Sequence, residues 1–219
     1  MNLRALLILV PAFCCLSCGT GRNGFVRMPA IGLYDEMPPR DSNSIGTFKD
    51  VVVFEENLDA SVWGSPEPKC LSLQRETATV HSGAYGLHVR WDKVGGGCKW
   101  IGIGFGWNNW APKDLSEIAD SAAISLQVRA VKGRFSNLPV AFGIEDYSGA
   151  QAWLGFRAEM APNGFNDSQW TQLVLPLRAF PFRENDADNG KIKQFIIQLE
   201  GDGDIYLDRI RIIPWKPAS

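Results

Sequence analysis

WTQLVLPLRAFPFRENDADNGKIKQFIIQLEGDGDIYLDRIRII, residues 170–213, holds three runs of alternating apolar and polar side chains: Thr171–Leu175, Gln194–Leu199 and Ile205–Ile212. Clusters of Pro, Asn, Asp and Gly separate them. Alternation means that each run buries one face and wets the other, the pattern of antiparallel strands. In the last run Ile205 and Leu207 share one phase and Ile210 and Ile212 the opposite one. The register therefore slips at Asp208–Arg209, and a β-bulge there would repair the slip and re-aim a carboxylate.

Working outward, further strands are expected near Val51–Glu55, Leu71–Glu76, Gly86–Asp92, Trp100–Trp107, Ala123–Ala130, Pro139–Asp146 and Gln151–Glu159, with the last two runs extending over Gln194–Glu200 and Asp204–Ile213. Helical periodicity is confined to Lys113–Ala119. About ten short strands with turn signals between them predict an all-β fold, a two-sheet antiparallel β-sandwich or jelly roll. The strands are too short, and their outer faces too polar, for a membrane barrel.

The chain opens with one basic residue, Arg4, an apolar run from Ala5 to Phe13 and then small residues up to Cys18. This reads as a signal peptide over residues 1–17. Leu16–Ser17–Cys18–Gly19 resembles a bacterial lipobox, with Cys15 where Leu is usual. The resemblance implies acylation of Cys18 and attachment to a membrane of the cell envelope, the outer membrane being expected. Residues 18–49 read as a tether, with Ile31–Tyr34 a stretch able to pack on the domain, and residues 50–219 as one domain. Cys70 and Cys98 remain as an even pair in an oxidising compartment, which predicts a disulfide.

The net charge is −2, and becomes −3 once Arg4 leaves with the signal, which argues against nucleic acid as a partner. Two histidines are too few for a zinc or copper cage.

The outward phases of four strands are unusual. Trp100, Gly102 and Gly104 oppose Ile101, Ile103 and Phe105; Ser125, Gln127 and Arg129 oppose Ile124, Leu126 and Val128. Ala141, Gly143 and Glu145 oppose Val140, Phe142 and Ile144, while Trp153, Gly155, Arg157 and Glu159 oppose Leu154, Phe156 and Ala158. Indoles, glycines and planar polar groups suit a pyranose: its C–H face lies on an indole, and its hydroxyls need Gln, Arg or Glu. The expected ligand residues are Trp100, Gln127, Arg129, Glu145, Trp153 and Arg157, with Trp110 on a rimming loop. Trp91 and Trp107 fall in core phases, Trp170 and Trp215 read as packing residues, and Trp63 reads as a loop residue.

Carboxylates at Glu55, Glu56 and Asp208, with the Ser82–Gly83 turn, predict a structural calcium ion tying the first strand to the last. The carbohydrate-active alternative has only Glu145 and Glu159, with Asp146 nearby, to flank a glycosidic bond.

VFEEN (53–57), HSGAYGLHV (81–89), GWNNWAPKDLS (106–116), WTQLVLPLRAF (170–180) and IKQFIIQLEGDGDIYLDRIRI (192–212) together resemble the galactose-binding-like jelly roll of carbohydrate-binding modules, the family 11 group in particular. The resemblance implies a structural calcium at Asp208 and Glu55, and a sugar cleft lined by Trp100, Trp153 and Arg157. It implies a non-catalytic glycan-binding lipoprotein, with a partner enzyme or transporter unspecified. The runner-up is a protein-interaction module on the same sandwich, followed by a jelly-roll hydrolase or lyase.

Overall fold

A computed structural model of the chain describes residues 44–56 and 61–216. The signal peptide, Cys18 and the tether up to residue 43 lie outside the described residues, as does the expected packing of Ile31–Tyr34. Thirteen strands are present among the described residues: β1 (Val52–Phe54), β2 (Val62–Gly64), β3 (Leu71–Glu76), β4 (Gly86–Asp92), β5 (Gly102–Phe105), β6 (Ala122–Ala130), β7 (Arg134–Phe135), β8 (Val140–Asp146), β9 (Gln151–Gly155), β10 (Phe165–Asn166), β11 (Thr171–Pro176), β12 (Ile192–Leu199) and β13 (Asp202–Pro214). The expected helix at Lys113–Ala119 shrinks to a 3-10 turn at Ser116–Ile118. Its flanks are held by long-range backbone bonds, Lys113 N–H to Ile192 O and Leu115 N–H to Asn189 O, leaving no room for further helical turns.

Two antiparallel sheets face each other. One has the order β11-β6-β13-β4-β3, with β1 also pairing to β13; the other has the order β2-β5-β12-β8-β9. β7 and β10 form a separate small ladder. Alternation sends one side of every long strand into the shared core. Phe105, Phe142 and Phe195 of the five-stranded sheet stack on one another there at 6.2 Å between centroids. Leu87, Val89, Leu126, Val128, Leu173 and Leu207 close the core from the other side, all essentially solvent-free. The predicted bulge lies where the phase slipped. β13 pairs with β6 at Asp208↔Gln127, loses register, and resumes at Arg211↔Ser125. Arg209 takes a left-handed φ of 47° to make the step.

Cys70 and Cys98 are disulfide-bonded. The bridge fastens the start of β3 to the loop that leads into β5, so it fixes the approach of Trp100 to the five-stranded sheet.

Candidate functional site

The outward side of the five-stranded sheet is paved with indoles lying on glycines. A side-chain carbon built on Gly102 would meet the Trp100 ring at 2.4 Å; on Gly104 it would meet Trp63 at 2.3 Å, on Gly106 Trp110 at 2.4 Å, and on Gly143 Trp153 at 2.7 Å. Any larger residue would lift the ring, so these glycines are open floor for flat aromatic surfaces. Trp63 and Trp100 lie nearly parallel, with ring centroids 6.4 Å apart and planes 26° from each other.

Register turns the pairs into a row. Trp63 faces Gly104, Gly104 faces Ile196, Ile196 faces Gly143, and Gly143 faces Trp153. The row crosses all five strands, with Ile196 as a ridge between two indole-bearing glycines. Along β5, at right angles to it, Trp100, Trp63 and Trp110 follow the glycines at two-residue intervals.

Glutamines fix the indoles in plane. Trp63 Nε1–H donates to Gln194 Oε1 at 2.6 Å, Trp100 Nε1–H to Gln198 Oε1 at 3.1 Å, and Trp153 Nε1–H to Gln151 Oε1 at 3.2 Å. Two of these glutamines are themselves tied down. Gln151 Nε2 donates to Glu145 Oε2 at 2.6 Å, and Lys193 Nζ holds Glu145 Oε1 at 2.7 Å. Gln198 donates to Glu200, which also receives Lys93. The Lys93 bond, followed by the Gln198 bond, holds the Glu200 carboxyl below the usual carboxylate range. The aromatic floor is thus ordered before any ligand arrives, which reduces the entropy lost on binding.

Trp110 reaches its place by a costly route. Asn108, Asn109 and Trp110 have φ of 55°, 51° and 65°, three successive left-handed residues with side chains. Each such residue costs about 1–2 kcal/mol. The turn folds Trp110 back over Gly106, and Trp110 N–H bonds Gly106 O. Lys113, buried just beyond, anchors the turn by donating to Trp107 O at 3.0 Å and to Lys193 O at 2.9 Å. Strain held this way accumulates where a side chain must be aimed.

A trough of about 1130 Å³ opens on this face. Trp100 and Trp153 line it, with Glu145, Gln194 and Ile196 between them and Ser148–Gln151 and Asn185 among the walls. Of the residues expected from sequence, the structure therefore brings Trp100, Glu145 and Trp153 into one cavity. Trp110 lies on the same sheet face beyond the lining. Arg157 follows the end of β9, is exposed and does not line the trough. Gln127 and Arg129 require correction: they sit on β6, in the opposite sheet. Arg129 donates to Asp167 O, while Gln127 lines a smaller hollow of about 520 Å³ with Gln172, Arg209 and Arg211. Their outward phase is right, but the outward side of the wrong sheet. Trp63 is the converse correction, a strand residue of β2 in place of a loop residue. A three-residue strand carries too little periodicity to be recognised. Gln151, Gln194 and Gln198 were also missed; their signal was the outward phase that each shares with a Trp or a neighbouring Gln.

The alternative catalytic pair does not converge. Glu145 is in the trough and neutralised by Lys193, whereas Glu159 is exposed on a 3-10 turn at Ala158–Met160, outside the trough. Asp146 is buried and caps its own turn, accepting from Ser148 N–H, Ser148 Oγ and Ala150 N–H, and from Asp188 N–H. Burial pushes its carboxyl up, but these bonds outweigh burial and hold it below the ordinary Asp value.

Asp208 lies at the bulge, fully buried. Its Oδ2 accepts from His81 N–H at 2.7 Å and Ser82 N–H at 3.3 Å, and its Oδ1 from Arg209 N–H at 2.6 Å. Glu56 Oε1 clasps the same turn through Ala84 N–H at 2.6 Å. Burial pushes the Asp208 carboxyl up despite those bonds, and Ser82 Oγ beside it is buried without a partner. A desolvated carboxyl next to an orphaned hydroxyl fits a hard cation. Glu55 does not join them; its Oε1 faces Arg209 Nε at 3.6 Å and Arg211 Nη1 at 4.0 Å. Among the described residues no three His, Cys, Asp or Glu side chains cluster as a metal site. Backbone carbonyls and Ser82 would have to complete any coordination by Glu56 and Asp208.

A β-sandwich with an aromatic, polar-floored trough across one sheet is the architecture of a carbohydrate-binding module, and the comparisons bear this out. The family model for carbohydrate binding domain 30 matches residues 50–214, and the chain belongs to that family. A solved family 30 carbohydrate-binding module shares 15% identity over 77% of this chain and 89% of its own, with a TM-score of 0.61. The family 30 module of the cellulosomal cellulase Cel9D-Cel44B of Clostridium thermocellum shares 16% identity over 74% of this chain and 96% of its own, with a TM-score of 0.56. An exo-beta-agarase matches at 12% identity over 76% of this chain but 25% of its own, with a TM-score of 0.50. These identities speak to the fold alone. No curated protein matches the sequence. The expected kinship with carbohydrate-binding jelly rolls holds, with family 30 supplying the matching model.

Proposed function

We propose that the protein binds a polysaccharide or oligosaccharide on the outward side of its five-stranded sheet and does not cleave it. Trp100 and Trp153 stack on sugar rings, Gln194 and Glu145 meet hydroxyls between them, Trp110 extends the aromatic surface, and Trp63, itself buried, backs Trp100. The observation that carries this reading is the glycine-borne indole pavement with its N–H groups fixed by glutamines. It is a concave surface with Glu145, Gln151, Asn185 and Gln194 among its lining, unlike the broad apolar patch that a protein-interaction module would present. Glu145, already shared between Lys193 and Gln151, is a positioning group in this reading and not an acid or base.

Calorimetry against a panel of soluble glycans tests the proposal. At least one glycan binds, W100A and W153A each weaken it about tenfold, and the glycan gains no reducing ends on prolonged incubation. Failure of every glycan to bind, or full affinity in both variants, rejects the site. Release of new reducing ends that stops in E145Q would make the protein an enzyme.

Acylation of Cys18 would hold the module at the cell envelope, close to glycan-degrading or transporting partners. Release of a C18A variant into the soluble fraction is the expected outcome. A calcium ion at the turn clasped by Glu56 and Asp208 would neutralise the buried carboxyl and clamp the first strand to the last.

A further inference from the structure

The bulge in β13 shapes the outward side of the other sheet. β13 pairs Asp208 with Gln127 and Arg211 with Ser125, so Arg209 and Ile210 together oppose the single residue Leu126. The extra residue flips the phase of the strand. Ile210 and Ile212 go to the core, and Arg209 and Arg211 both turn outward. There they line the hollow of about 520 Å³ with Ser125, Gln127 and Gln172, on the face opposite the aromatic trough. That volume falls within the range of small-ligand pockets, roughly 300–1,000 Å³.

The hollow is basic and rich in planar polar groups. Glu55 Oε1 faces Arg209 Nε at 3.6 Å and Arg211 Nη1 at 4.0 Å. Both separations exceed hydrogen-bond length, so Glu55 offsets charge without occupying the donors of Arg209. The Arg209 side chain is 40% exposed and open to a ligand, while Arg211, at 8%, adds positive charge from beneath. Gln172 Nε2 donates to Ser125 Oγ at 2.7 Å, which fixes one amide on the floor. Gln127 is half-buried beside it, and its amide has no hydrogen-bond partner among the described residues.

A guanidinium fork matches a planar carboxylate, and amides that both donate and accept match ring hydroxyls. β6 and β13 each have a neighbouring strand on both sides, so an acidic peptide finds no free edge to extend here. We infer that the hollow is a second binding site, which takes a uronic acid residue of an acidic glycan. Arg209 donates to the carboxylate, and Gln127 and Gln172 meet the hydroxyls. This goes beyond the trough reading and does not depend on it, because the two sites lie on opposite sheets.

Calorimetry at low salt tests it, with trigalacturonate, trimannuronate and glucuronic acid-substituted xylotriose, each beside its carboxyl methyl ester. At least one acid binds about tenfold more tightly than its ester, the worth of a charge-assisted hydrogen bond, and the preference shrinks as salt rises. R209N, a substitution that tolerates the left-handed backbone, weakens the acid, and so does Q127A. E55Q strengthens it by removing a competing carboxylate, and the W100A/W153A double variant binds it as the parent does. Equal affinity for acid and ester overturns the second site and leaves the trough reading in place. So does acid binding that survives R209N and vanishes in W100A/W153A, or failure of every acid to bind. Should R209N not fold, Q127A and E55Q decide, and unchanged acid affinity in both overturns the site. Acid binding that persists when no neutral glycan binds rejects the trough reading alone.

Discussion

Gly143 shows how a single hydrogen atom sets the geometry of the site. A methyl group at this position would meet Trp153 Cζ3 at 2.7 Å, and the crowding is against a ring that three other side chains hold in place. The ring must tilt off the floor or the strands must part. G143A is therefore expected to lower affinity for a bound glycan about tenfold, with a stability loss of about 1–3 kcal/mol from overpacking. Calorimetry and chemical denaturation read the two effects separately, and unchanged affinity would show that the flat indole is not needed. Asp146 gives a residue-scale prediction in pH. Its folded-state carboxyl titrates below the ordinary Asp value of about 3.9, so it contributes stability above that pH. That contribution is lost as pH falls through the depressed folded value. Between the wild type and D146N, denaturation midpoints should differ most above about pH 4 and converge below it. A constant difference across that range would assign the stability to packing instead of charge.

Among the elements, the loop before β5 is the most dependent on a covalent tie. The Cys70–Cys98 bridge closes a sequence separation of 28 residues, for which chain entropy predicts about 3–4 kcal/mol of stabilisation. The C70S/C98S double variant should lose roughly that much in urea denaturation. It should also bind glycan more weakly, since the same loop delivers Trp100; weakened stability with intact affinity would separate the two roles. The strands themselves were largely readable: β3 and β4 fall at Leu71–Glu76 and Gly86–Asp92, as alternation places them. Ends were less so. The run at Gln151–Glu159 stops at Gly155, because Ala158–Met160 turns as a 3-10 segment and carries Arg157 away from the sheet. β2 escaped notice because three residues between turn formers have no measurable period.

For the whole molecule, the meeting of first and last strands is the point where a cation would matter. Glu56 follows β1, Asp208 sits in β13, and both grip the turn at His81–Ala84. If calcium binds there, millimolar calcium should raise the thermal midpoint by several degrees, chelator should remove the gain, and D208N should not respond. An identical midpoint with and without calcium would dismiss the ion and leave the backbone N–H groups as the carboxylate's only partners. The sequence alone determined that the chain is an antiparallel sandwich, that its last strand is bulged at Asp208, and which side of each long strand faces outward. Those properties are local, written in a two-residue period and its one slip. Only the tertiary structure decided which outward faces share a surface, placing Trp63, Trp100, Trp110 and Trp153 on one sheet and Gln127 and Arg129 on the other. The physical reason is that alternation records inside and outside identically for both sheets, while strand neighbours are chosen by contacts between residues far apart in the chain.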